Sequence, residues 1–69
     1  MFEYKITEHL AVLSAKNKWT LELNRVKWGE NAVKLDIRTW NEDHTKCGKG
    51  ITLTDEEAKI LISALQNIE

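Results

Sequence analysis

Sixty-nine residues, 42% of them hydrophobic and 30% charged, make one domain at most, with a core near the lower limit for independent stability. A single cysteine excludes an internal disulfide, and no grouping of ligand residues suggests a structural metal, so a second copy of the chain is the expected supplement. The net charge of −1 excludes a uniformly basic nucleic-acid binder, but residues 1–50 carry nine Lys/Arg against seven Asp/Glu, and residues 51–69 one lysine against four acids.

The opening Met1-Phe2-Glu3-Tyr4 turns polar at once, without the basic and apolar regions of a secretory signal. No segment approaches the ~20 apolar residues of a membrane span. A reducing, cytoplasmic setting is expected, with residues 1–69 forming one domain. Residues 3–14 read as a first strand, with Tyr4, Ile6, Leu10 and Val12 at even spacing. Glu8 breaks that alternation and predicts a bulge near Glu8-His9. A polar turn follows around Asn17.

Residues 19–28 predict a second strand. Trp19, Leu21 and Leu23 share one face, and Asn24, Val26 and Trp28 the other. Strict alternation puts Arg25 and Lys27 with the leucines, on the core side, which unpaired charges avoid. Either the strand bulges near Asn24-Arg25, or it projects past the covering helix. On either reading Arg25, Lys27 and Trp28 are expected close to Lys34, Arg38 and Trp40, because only a short turn at residues 29–31 joins this strand to the next.

KLDIRTW, residues 34–40, is the core of the third strand. Val33, Leu35 and Ile37 fall on one side, and Lys34, Asp36, Arg38 and Trp40 on the side expected to meet water. A polar loop runs from Asn41 to Gly48, and Gly50–Leu53 predicts a short fourth strand. Thr54-Asp55-Glu56-Glu57 is a capping box. Beyond it Ala58, Leu61, Ile62, Leu65 and Ile68 recur at helical spacing and predict an amphipathic helix over 55–68. Ile60 and Ala64 lie beside that stripe, where they widen it or meet a second subunit. The fold class is α+β: a four-stranded antiparallel ββββα meander with one C-terminal helix on its apolar face.

Cations interleaved with indoles on an open sheet face suit single-stranded nucleic acid, because Lys and Arg neutralise phosphates and unstacked bases stack on indoles. The same residues also fit a structural role. Tryptophans fill cores, and Lys34 and Arg38 flanking Asp36 make a solvated charge ladder. No catalytic constellation competes. His44-Thr45-Lys46-Cys47 lacks the further ligands zinc needs and any group to orient a thiol–imidazole pair. Gly48-Lys49-Gly50 lacks the spacing of a phosphate loop.

Residues 34–57 resemble the transcriptional positive cofactor four family, especially its small bacterial YdbC-type members. The resemblance rests on Asp36-Ile37-Arg38 with Trp40, Lys49-Gly50-Ile51-Thr52-Leu53, and the acidic helix start Asp55-Glu56-Glu57, with WTLELNRVKW at 19–28 in support. It implies a curved ββββα sheet, a homodimer, and binding of single-stranded DNA, or RNA, with little sequence preference. In the family a late aromatic on the second strand stacks on a base, which matches Trp28. The arginine that meets backbone matches Arg38, the aromatic beyond it Trp40, and the lysine before Gly-Ile Lys49.

The expected interface is therefore Trp19, Arg25, Lys27, Trp28, Lys34, Arg38, Trp40 and Lys49. The expected protein is a non-catalytic, coactivator-like binder in transcription regulation, replication or repair, nucleoid-associated when bound. It is expected to need no cofactor, metal, small-molecule substrate or membrane. The alternative is a protein-interaction module that binds an acidic partner through the same face.

Overall fold

The computed structural model describes residues 3–68. Strands β1 (Tyr4–Lys16), β2 (Trp19–Trp28), β3 (Lys34–Trp40) and β4 (Cys47–Leu53) form one antiparallel sheet in the order β1-β2-β3-β4, and helix α1 (Asp55–Gln66) follows. This is the expected ββββα meander. The fourth strand starts at Cys47 rather than Gly50, and the helix ends at Gln66 with Asn67 as its C-cap.

Local chemistry explains the joints. Asn17 and Lys18 close the first hairpin with φ of 53° and 67°, the left-handed pair whose twist suits a two-residue turn. Gly29 takes φ 56° as the chain leaves β2, and its N–H donates to the Glu3 carbonyl at 2.7 Å. At the helix start the Glu57 N–H donates to Thr54 Oγ1 at 3.1 Å, and the Thr54 N–H donates to Glu57 Oε1 at 2.8 Å. The capping box therefore forms as predicted.

β1 departs most from simple alternation. Its register against β2 shifts between Ile6 and Glu8, between His9 and Ala11, and between Val12 and Ser14. The predicted irregularity near Glu8 is thus one of three. Each leaves one residue of β1 without a partner and resets which side chains face which way. Tyr4, Ile6, His9, Val12 and Ala15 come to lie opposite Trp28, Val26, Asn24, Glu22 and Thr20. A histidine thereby joins a face that strict alternation would deny it.

The β2–β3 ladder is unbroken from Thr20↔Trp40 to Val26↔Lys34, so the first of the two readings of this strand, a bulge near Asn24-Arg25, does not hold. Arg25 stays in register with Leu35 and on the side of Leu23, opposite Arg38. Its charge is met by Glu8, whose Oε1 lies 3.4 Å from Arg25 Nε, and Lys27 Nζ donates to the Gly29 carbonyl at 2.8 Å. The expectation that Arg25 and Lys27 gather beside Arg38 and Trp40 is corrected by this parity.

The two faces of the sheet are buried in the reverse of the expected sense. On the helix side, Leu23, Leu35, Ile37 and Leu53 meet Ala58, Leu61, Ile62 and Leu65 across a gap of about 240 Å³. One short helix does not seal that side: Ile51, Ile62 and Leu65 remain 55%, 55% and 57% exposed. On the opposite side Asn24, Val26, Asp36 and Trp40 are fully buried, and Glu22 nearly so. The face assigned to water by its polar alternation therefore holds most of the buried side chains among the described residues.

Candidate nucleic-acid interface

Trp40 lies at the centre of this packing. Its indole is 5.2 Å from the Tyr4 ring, 6.3 Å from Trp28 at 11° between planes, and 5.6 Å from the His44 imidazole. The Tyr4 hydroxyl donates to the His44 carbonyl, which draws the loop between β3 and β4 against this cluster. His44 has φ 58°, a left-handed conformation that histidine adopts more readily than most residues other than glycine. The expectation that Trp40 presents a stacking surface to solvent is corrected for this conformation: the loop and the two neighbouring aromatics enclose it.

Trp28 and Arg38 form the accessible part. Both are partly exposed, and the Arg38 guanidinium carbon sits 4.6 Å from the Trp28 ring centroid. Arg38 Nε donates to Asp36 Oδ1 at 2.7 Å, and a second nitrogen reaches the Gly48 carbonyl at 3.4 Å. The hydrogen bond it donates to Asp36 raises the guanidinium's pKa above its ordinary value, against the opposing effect of burial. Asp36 is itself fully buried, and its second oxygen has no hydrogen-bond partner among the described residues. Its contact with Nε therefore fixes the direction of the Arg38 side chain. Gly50 permits this arrangement. A Cβ there would overlap the Ile37 carbonyl and the Arg38 Cβ, so only glycine lets β4 pass this close.

The remaining predicted residues divide. Lys34 is exposed in register with Val26, on the Trp28–Arg38 side. Lys49 is exposed where the β3–β4 register shifts between Arg38 and Trp40. Trp19, 38% exposed, opens β2 opposite Lys16. It borders Asn41, Glu42 and Asp43 in a shallow depression at the other end of the strand from Trp28. Arg25 and Lys27 issue from the helix side. Asn31 and Thr52, not anticipated from the sequence, join Trp28 and Arg38 around an open pocket of about 280 Å³.

A second polar group lies beyond Trp40. Glu22 is 3% exposed, yet four side chains surround its carboxylate. Thr20 donates to Oε2, Asn24 Nδ2 donates to Oε1 at 3.1 Å, and His44 Nε2 is 3.0 Å from both oxygens. His9 Nδ1 stands 3.5 Å from Oε1 and 2.7 Å from Asn24 Oδ1. Because the Asn24 amide nitrogen serves Glu22, its oxygen must accept, so His9 Nδ1 is the donor. Burial pushes the Glu22 carboxyl up, but the bonds from Thr20, Asn24 and His44, with the charge His44 carries when protonated, outweigh it and hold the group below its ordinary value. Nothing in the sequence periodicity marks these residues, since His9 arrives through a bulge and His44 through a loop. Among the described residues no group of His, Cys, Asp or Glu is placed to hold a metal ion, and no helix is long and apolar enough to cross a membrane.

The geometry agrees with what comparison to known proteins finds. A protein of Treponema pallidum (strain Nichols), described only as uncharacterized, is 40% identical over 68 residues, spanning 97% of this chain and 80% of the relative. The family model for Transcriptional Coactivator p15 (PC4) matches residues 15–64, from the end of β1 into α1. That span contains Trp28, Asp36, Arg38 and Gly50. The chain belongs to the transcriptional coactivator p15 (PC4) family, a family of non-catalytic, single-stranded-DNA-binding proteins.

Proposed function

We propose that this protein binds single-stranded DNA, and RNA of the same extended form, with little sequence preference, and serves transcription, replication or repair in the cytoplasm. The observation that carries this reading is the Arg38 guanidinium held over Trp28 by buried Asp36. An indole with a fixed cation over its ring supplies an aromatic surface for a base and a charge for its phosphate. Duplex DNA keeps its base faces stacked, so the platform favours single strands. Lys34 and Lys49 extend the positive charge along the strand's path. If Lys34, Arg38 and Lys49 each neutralise one phosphate, log K falls with log salt at a slope of about −2 per protomer, from ~0.7 per phosphate.

The working unit in this proposal is a homodimer. Ile60, Ile62, Leu65 and Ile68 stand 70%, 55%, 57% and 68% exposed on and beyond α1, beside Ile51 and Leu13. An apolar surface of this kind is unfavourable in water, and a second copy covers it symmetrically. Sedimentation at micromolar concentration checks this: a species of one chain mass at every concentration overturns the dimer.

The test of the binding reading is a tryptophan-fluorescence titration with oligo-dT of about 20 nucleotides, beside a matched duplex, at two salt concentrations. Quenching by the single strand that fades with salt and is weak for duplex is expected. No response at low salt refutes the proposal and leaves an acidic protein segment as the ligand to seek.

A further inference from the structure

Beside the Trp28–Arg38 platform, across Trp40, the same face has a cleft of about 390 Å³ lined by Ile6, His9, Val12, Glu22, Asn24 and His44. Its size and its apolar walls around a few convergent polar groups suit a planar ligand. Its floor is a carboxylate, which repels phosphate and accepts N–H donors. The His44 ring already makes the contact such a ligand would make. It is a planar nitrogen heterocycle packed against Trp40, with Nε2 equidistant, at 3.0 Å, from both Glu22 oxygens. The His44 side chain is 40% exposed, so it can leave by rotating about its own side-chain bonds. The backbone bonds of the loop, His44 N–H to Asn41 and Lys46 carbonyl to Asn41 N–H, stay as they are.

We propose that His44 occupies a nucleobase subsite in the ligand-free protein, and that a guanine of the bound single strand displaces it and pairs with Glu22. The choice of guanine follows from donor geometry. Its Watson–Crick edge presents two adjacent donors, N1–H and N2–H, which match the two oxygens of a carboxylate in a charge-assisted, bidentate pair. Thymine offers one N–H between two carbonyls, while adenine and cytosine set a ring-nitrogen acceptor against the carboxylate. Single strands expose these edges and duplexes do not. The bonds from Thr20 and Asn24 hold Glu22 in position while His44 is away, and the guanine N–H donors take over the bond by which His44 favours the ionised carboxylate. One guanine-reading position is thereby added to an otherwise sequence-tolerant interface, so the inference rests on the binding function proposed above.

The experiment compares fluorescence titrations with three oligomers of about 20 nucleotides: all dT, dT with one central guanine, and dT with hypoxanthine at that position, which lacks the N2 amine. Guanine is expected to bind about tenfold tighter than all-dT, with hypoxanthine between them. Glu22→Gln should bind all-dT as the native protein does and lose the guanine preference. His44→Ala should tighten the guanine oligomer further and leave all-dT unchanged. Equal affinity of the native protein for all three oligomers overturns the subsite and leaves the general binding function standing. No binding of any oligomer overturns both. The native-protein comparison decides the matter even if Glu22→Gln does not fold.

Discussion

Asp36→Ala is the substitution that most directly probes how the platform is built. Asp36 is fully buried and its partner Arg38 has a side chain 16% exposed, with 2.7 Å between them. Removing one partner of a fully buried pair costs about 3–5 kcal/mol. Arg38 retains some solvent, the Gly48 carbonyl at 3.4 Å and the Trp28 ring at 4.6 Å, which reduces the penalty to roughly 2–3 kcal/mol. A chain of this length is stable by only ~3–10 kcal/mol, so the loss is a large share of the total. Thermal melts followed by circular dichroism, at one fixed protein concentration, should show a drop of roughly 10–20 °C. The cycle completed with Arg38→Ala and the double variant should give a coupling of at least ~1.5 kcal/mol, since the two groups are in direct contact. A loss below about 0.5 kcal/mol, or no coupling, refutes the account of Asp36 as the anchor of Arg38. So does an Asp36→Ala protein that folds normally and binds oligo-dT better than the native chain.

Three further outcomes separate binding from packing. Trp28→Ala should weaken oligo-dT binding by about 1–3 kcal/mol, whereas Trp40→Ala, which empties a fully buried site, should cost about 3–5 kcal/mol of stability and leave little folded protein; equal melting points for the two variants would contradict this. Acid should act through Glu22. Its folded carboxyl lies below the ordinary value of 4.5 that it regains on unfolding, so its stabilisation is complete above about pH 4.5 and lost as pH falls through the folded value. The stability gap between native protein and Glu22→Gln, measured by urea unfolding, should therefore close at low pH, and a gap constant down to pH 3 would refute it. Gly50→Ala should destabilise by ~1–3 kcal/mol and weaken oligo-dT binding through the displaced Arg38 backbone; an unchanged urea midpoint would show that β4 stands further from β3 than described.

Sequence alone determined the parts governed by neighbours along the chain. The capping box at Thr54–Glu57 set where the helix starts and the alternation of KLDIRTW set a strand, through contacts a few residues long, and both stand in the structure as read. The family motifs marked Trp28 and Arg38 in the same way. Tertiary structure decided what alternation cannot express. Period two divides a strand into two sides but does not say which side is enclosed, and here the polar side is packed while the apolar side stays open. Trp40 reads as an exposed ring from β3 alone, and it is buried because Tyr4 and His44 reach it from 36 residues before and four after. Three register shifts in β1 bring His9 to Asn24 and Glu22, and each shift depends on pairing with β2 rather than on any local signal. The parity of Arg25 and Lys27 was legible. Only the unbroken β2–β3 ladder shows that the strand obeys it, because a strand's pairing register is a property of two segments and not of one.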